Sequence, residues 1–157
     1  MGTARPWLTA LSLSFTLAAI HPIGLRAQPV GGGIIDTVEV SRENDAVRVD
    51  VTFVCPVRYV AHAPARRGNE VRIKVDPVPR CQDNIEAAGE DQTVHPETAE
   101  HTPLTDVTYE GSVPGGPVLT LRFSRVVDFR VAPTPDYRGI TVTVPDIPAE
   151  DPGTKNQ

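Results

Sequence analysis

The amino-acid sequence predicts an all-β fold, a small β-sandwich of two similar sheets related by a pseudo-twofold internal repeat. Three observations carry this expectation. Apolar and polar residues alternate at period two in four separate runs. Sixteen prolines and twelve glycines are spread over 157 residues, which disfavours long helices. Residues 35–75 and 104–144 follow one plan twice.

The alternating runs come first. Val47, Val49, Val51 and Phe53 are separated by Arg48, Asp50 and Thr52. Val71, Ile73 and Val75 alternate with Arg72, Lys74 and Asp76. Leu119, Leu121 and Phe123 flank Thr120 and Arg122, and Ile140, Val142 and Val144 flank Thr141 and Thr143. Side chains on a strand point alternately to opposite faces, so each run gives one face to a core and one to water.

The repeat orders these runs. Each half opens on a short strand, Ile35 to Val40 or Leu104 to Glu110. A turn follows, Glu43-Asn44-Asp45 or Pro114-Gly115-Gly116. A long strand then ends in Phe53 or Phe123, and a Val-x-aromatic step comes at the same offset, Val57-Arg58-Tyr59 or Val127-Asp128-Phe129. A proline loop leads to the closing strand, Glu70 to Val75 or Gly139 to Val144. A single small sheet cannot hide its apolar face alone, whereas two related sheets packed together bury both. Phe53, Tyr59, Phe123 and Phe129 are expected at the centre. Between the halves, residues 77–103 are polar and acidic and read as an irregular linker.

The first 27 residues read as a cleavable signal peptide. Arg5 supplies a positive start, Trp7 to Ile20 is mostly apolar and uncharged, and Leu25-Arg26-Ala27 ends on a small residue. The alternative is an uncleaved anchor, but the run is short of the ~20 apolar residues of a span and is diluted by Thr9, Ser12, Ser14 and Thr16. Cleavage after Ala27 leaves a flexible lead (28–33), the sandwich (34–145) and a flexible polar tail (146–157). The implied location is periplasmic, with no membrane insertion once the signal is removed.

Removal of Arg5 and Arg26 leaves 13 basic residues against 20 acidic ones, a net charge of −7 with histidine neutral. Such a chain is a poor partner for nucleic acid. Export also makes a disulfide between the two cysteines, Cys55 and Cys81, chemically accessible; two buried thiols are the other reading.

The alternating strand ending in Phe53 or Phe123, the Val-x-aromatic step, the proline loop and the closing Val71-Arg72-Ile73-Lys74-Val75 strand resemble the AMIN domain, over residues 34–145. The resemblance implies a periplasmic β-sandwich of two similar sheets that localises a partner domain, such as a cell-wall amidase or a pilus secretin. It implies binding to peptidoglycan or to envelope machinery. No amidase or secretin domain accompanies the sandwich in these 157 residues, so a module that recruits a partner or acts alone is expected.

The residues offer little to catalysis. Ser41, Ser112 and Ser124 lack a nucleophile-elbow context, and the acidic pairs Glu90-Asp91 and Glu150-Asp151 lie in polar segments. His95 and His101 are six residues apart across Pro96, which suits no zinc motif; a site from His62, His95, His101 and Glu97 is the weakest reading. The chain is therefore expected to be no enzyme, with no cofactor and no metal. Binding is better supported. Arg58, Arg72, Lys74, Arg122 and Arg130 fall on outward strand positions, with Arg48, Arg138 and the loop pair Arg66-Arg67 beside them. Guanidinium forks suit carboxylates, so the stem peptides of peptidoglycan are the expected ligand. Two rivals remain: an adaptor that pairs an exposed edge strand with an envelope protein, and an ordinary soluble surface.

Overall fold

The computed structural model describes residues 25–26, 32–43, 45–78, 88–96 and 102–145. Ten strands form two antiparallel sheets. They are β1 (Leu25–Arg26), β2 (Ile35–Glu43), β3 (Ala46–Phe53), β4 (Val57–Ala63), β5 (Arg67–Pro77), β6 (Gln92–Val94), β7 (Leu104–Glu110), β8 (Val118–Asp128), β9 (Arg130–Pro133) and β10 (Gly139–Pro145). The first sheet has the order β1-β2-β3-β10-β9 and the second β4-β5-β8-β7-β6. The chain is all-β, and the four alternating runs are β3, β5, β8 and β10.

The two halves do not each form one sheet. Each half crosses from one sheet to the other between its long strand and its closing hairpin. The first half supplies β2 and β3 to one sheet and β4 and β5 to the other. The second half supplies β7 and β8 to the second sheet and β9 and β10 to the first. The centre of each sheet is thus a pairing between halves. β3 pairs with β10 from Ala46↔Pro145 to Thr52↔Gly139, and β5 pairs with β8 from Lys74↔Val118 to Arg67↔Asp128. The pseudo-twofold relation holds, with the halves interlocked through both layers.

Alternation sets what is buried. Val47, Val49, Val51 and Phe53 of β3 are each at most 2% exposed, as are Val71, Ile73 and Val75 of β5. Leu119, Leu121, Ile140, Val142 and Val144 close the same core. At ~25 cal/mol per Å2 of apolar surface, burial of each such side chain contributes roughly 1.5–3 kcal/mol before conformational entropy is charged against it.

The aromatic residues form two groups. The ring of Phe53 meets Tyr109 edge-on at 6.4 Å, and Phe123 stacks on Phe129 at 6.3 Å. Tyr59, expected at the centre, is only half-buried. Its hydroxyl contacts His62 instead, at 2.6 Å. A phenol at the rim of the core keeps its polar tip in a hydrogen bond. Tyr109 takes the central place. It is fully buried, and its hydroxyl donates to the Ala88 carbonyl at 2.9 Å.

Within the segment between the halves, the described residues include one short strand. Gln92 to Val94 add a strand to the edge of β7, from Gln92↔Tyr109 to Val94↔Val107. The Gln92 side chain then reaches to the other sheet. Its Oε1 accepts from the Ile35 amide at 2.8 Å and its Nε2 donates to the Ile35 carbonyl at 3.3 Å. One amide side chain so replaces a missing neighbour at the start of β2. Gly111 permits the approach of the same segment: a Cβ there would lie 2.6 Å from the Gly89 backbone.

Two outcomes check this arrangement. Gln92→Ala leaves the Ile35 amide and carbonyl without their partner and lowers stability by about 1–3 kcal/mol, while Thr93→Ala on the outer face changes it by under about 0.5 kcal/mol; denaturant melts read both. Burial raises the Tyr109 pKa to about 12. A raised pKa stabilises the fold fully below the ordinary tyrosine value and is lost as pH rises towards 12. Ultraviolet titration should show a late tyrosine ionisation, coupled to unfolding, that Tyr109→Phe removes.

Candidate functional site

The five cations expected to bind ligand do not share one surface. Arg58, Arg72, Lys74 and Arg122 lie on the sheet of β4, β5 and β8, whereas Arg130 opens β9 in the other sheet. The first group is largely neutralised by its own neighbours. Arg58 pairs with Asp76. Arg72 lies 3.3 Å from Glu110 and 4.0 Å from Glu70. Arg122 donates to Asp106 at 2.9 Å and to Glu70 at 3.3 Å.

The register explains the pairing. Glu70 on β5 and Asp106 on β7 both stand opposite Arg122 on β8. Four cations, Arg58, Arg72, Lys74 and Arg122, therefore share this face with four carboxylates, Glu70, Asp76, Asp106 and Glu110. The face has no net charge, and three of its four cations are already engaged. The Arg122 guanidinium is held above its ordinary pKa, first by its hydrogen bond to Asp106. Arg48 is engaged likewise by Asp50 at 2.7 Å. Exposed pairs of this kind contribute roughly 0–1 kcal/mol each. Their effect is to remove these cations from the pool that attracts a ligand.

Arg130 stands elsewhere. Together with His62, Ala65, Arg66, Asp128, Phe129, Val131 and Pro145 it lines an open hollow of about 540 Å3. The hollow sits where the edge strands β4 and β9 of the two sheets come together. The Phe129 amide donates to the Arg66 carbonyl at 2.7 Å, which holds the β4–β5 hairpin against the β8–β9 step. Among the described residues, neither Arg66 nor Arg130 has a carboxylate within ion-pairing distance. With Asp128 as the one acidic lining residue, the wall carries two arginines against one carboxylate.

His62 builds the wall of the hollow. Its Nε2 lies 3.1 Å from the Ala65 carbonyl, which can only accept, so Nε2 carries the proton. In the neutral ring Nδ1 then accepts from the Tyr59 hydroxyl at 2.6 Å. Both ring nitrogens are thus engaged and neither is open to a metal. The ring also meets Phe129 at 6.4 Å, which ties the wall to the aromatic core. His95 is exposed just after β6, and His101 and Glu97 lie outside the described residues. Among the described residues no group of three or more His, Cys, Asp and Glu side chains is placed to hold a metal ion.

A second feature is the β9–β10 hairpin tip. Asp136 Oδ1 accepts from the Thr134 hydroxyl at 2.6 Å and from the Arg138 amide at 3.0 Å. Tyr137 takes a left-handed φ of 59° and is 61% exposed, while its carbonyl accepts from the Val57 amide at 2.7 Å. The Arg138 guanidinium donates to the Val54 carbonyl at 2.8 Å. Arg138, outward in sequence, is a brace between the tip and the β3–β4 crossing. Cys55 is buried in that crossing, at 4% exposure, and Cys81 lies outside the described residues.

Sequence reasoning named Arg130 as a candidate and noted Arg66-Arg67 as a loop pair. It missed that Arg66 and Arg130 line one hollow, because they belong to different halves. It also missed the role of His62, whose signal was only its place three residues after Tyr59.

Charge reversal at Arg122 adds a third carboxylate beside Glu70 and Asp106. We expect Arg122→Glu to lower stability by about 1 kcal/mol at low salt, with partial recovery at high salt, read as a melting shift. At the hairpin tip, the Thr134 hydroxyl holds the Asp136 carboxyl below its ordinary pKa, assisted by the Arg138 amide. A depressed carboxyl stabilises the fold above its unfolded pKa and loses that contribution as pH falls through the folded value. Carbonyl NMR titration of Thr134→Val should show the Asp136 pKa moving up towards the usual carboxylate range.

No family model matches the chain, and no curated protein and no solved structure matches it either.

Proposed function

We propose that this chain is an exported, non-catalytic binding module that takes a carboxylate-bearing ligand in the hollow between β4 and β9. The observation that carries this reading is the pair Arg66 and Arg130, two arginines that line one hollow and have no carboxylate partner among the described residues. Forked guanidiniums grip carboxylates, and a concave, partly apolar wall strengthens that grip by excluding water. The floor here is apolar, from Phe129, Val131 and Pro145.

The leader in residues 1–27, which lies outside the described residues except for β1, supports a periplasmic location. Cleavage after Ala27 takes β1 away with it and leaves β2 as the edge strand. In that compartment the abundant carboxylate polymer is peptidoglycan, whose stem peptides are the first ligand to try. The AMIN-like pattern agrees with this reading. A Cys55–Cys81 bridge also belongs to it, since an oxidising compartment would close it across the β3–β4 crossing. Intact mass after alkylation, with and without reduction, tests the bridge.

A second reading has its own observation. β4 is an edge strand, its register slips between Tyr59 and Ala61, and Val60 between them is 46% exposed. Such an edge can accept a strand from an envelope protein.

Co-sedimentation with purified sacculi at low and high salt separates the two. The wall-binding reading predicts retention at low salt that fades as screening shortens from about 10 Å at 0.1 M to 3 Å at 1 M ionic strength. Arg66→Glu and Arg130→Glu should each weaken retention about tenfold, while Arg122→Glu, already neutralised, leaves it within about twofold. Protein left in the supernatant at low salt, or equal retention of all three variants, would overturn the wall-binding reading; the first outcome would favour the adaptor.

A further inference from the structure

The hollow holds a third charge that a carboxylate ligand alone does not use. Asp128 lines it together with Arg66 and Arg130, and is half-buried. The acids of the outer sheet face, Glu70, Asp76, Asp106 and Glu110, each have an arginine within 4.0 Å. Asp128 has none among the described residues, although Arg67 stands opposite it in the β5–β8 register and Arg130 follows two residues later. His62 offers a ligand no free ring nitrogen, since Ala65 and Tyr59 take both. The ionic groups left to a ligand are thus two guanidiniums and one carboxylate, lining one hollow of about 540 Å3.

We infer that the hollow recognises a peptide that presents carboxylates and a free amine close together, the carboxylates going to Arg66 and Arg130 and the amine to Asp128. This rests on the reading of the hollow as a carboxylate site and names the class of ligand that the site takes. A purely anionic ligand is attracted by the arginines and repelled by Asp128, in a recess where water screens both less than on an open surface. A ligand that brings an ammonium turns that repulsion into a charge-assisted hydrogen bond. An ammonium has three donors and no acceptor, so it suits a carboxylate that no side chain of the fold engages. Selectivity built in this way penalises the wrong ligand as well as holding the right one. The volume lies within the about 300–1,000 Å3 of sites for small ligands, which suits a short peptide and not a folded partner. In a cell wall, stem peptides keep a free amine only where no cross-link has consumed it. On this reading the hollow favours uncross-linked stems.

The test uses the full-length chain and two probes, triglutamate with a free amino terminus and the same peptide N-acetylated, titrated by calorimetry at low salt. The inference predicts that the free-amine peptide binds about tenfold more tightly. Simple attraction to the arginines gives the opposite order, because acetylation makes the peptide more negative. Asp128→Asn should bring the two affinities within about twofold, and Arg66→Glu or Arg130→Glu should weaken both. Asp128 has no ion pair to lose, so its variant should melt within about 2 °C of the unaltered chain; the comparison of the two peptides on the unaltered chain needs no variant at all. A parallel arm compares native sacculi with sacculi whose amines have been acetylated, and retention should fall about tenfold on acetylation. Equal affinity for the two peptides, or tighter binding of the acetylated one, with Arg66 and Arg130 still required, would leave the carboxylate site standing and overturn the recognition of the amine. A preference that persists in Asp128→Asn would overturn the role of Asp128. Binding of neither peptide would overturn both readings. If the peptides are distinguished while both kinds of sacculi are retained equally, the amine site stands and the wall falls as its source.

Discussion

The structure depends on the pairing of its two halves across the centre of both sheets. β3 meets β10 and β5 meets β8, and no half holds a complete sheet. Neither half can therefore bury its alternating face without the other. The crossing between sheets that makes this necessary occurs in both halves just after the long strand, at residues 54–56 and at Phe129. Those crossings also create the features around which function is argued. One buries Cys55 and is braced by Arg138, and the other puts Arg130 in the lining of the same hollow as Arg66. The candidate site is a by-product of how the two halves interlock.

Charge on this protein is decided by register. A strand-by-strand view assigns Arg72 and Arg122 to an outward face and invites a cationic binding surface. Pairing across strands places Glu70 and Asp106 against Arg122 and Glu110 against Arg72, and the face becomes neutral. Arg130 escapes because it sits in a short edge strand whose one paired neighbour offers Thr143, not an acid. Arg66 escapes because it sits in a hairpin. The cations left for an external partner are those that the sheets do not pair.

The strands were legible in the sequence because alternation reports directly on faces. The β3, β5, β8 and β10 runs needed only the period of two and the branched residues that fill it. Partners were not legible. Period two gives the face of a residue and says nothing about which strand lies next to it. So the exchange of strands between halves, and the ion pairs that follow from it, had to come from the structure. β6 was missed because three residues with one buried valine, Val94, leave no pattern to read. Tyr109 was hidden by its own alternation, since it looks like any inward residue of β7 until its hydroxyl is seen to reach Ala88. Tyr59 was overrated because repeat symmetry matched it to Phe129, whereas a phenol and a phenyl ring have different needs at the edge of a core.

On the proposed reading, carboxylates bind at the hollow and not on the outer sheet face. Titration of the 15N-labelled protein with an acidic tripeptide at low salt tests it most directly, by mapping which amides move. Binding at the hollow should gather the shifts at residues 62–66 and 128–131, and they should disappear in Arg130→Glu. Shifts gathered at residues 70–74 and 118–122, along the paired face of β5 and β8, would contradict it.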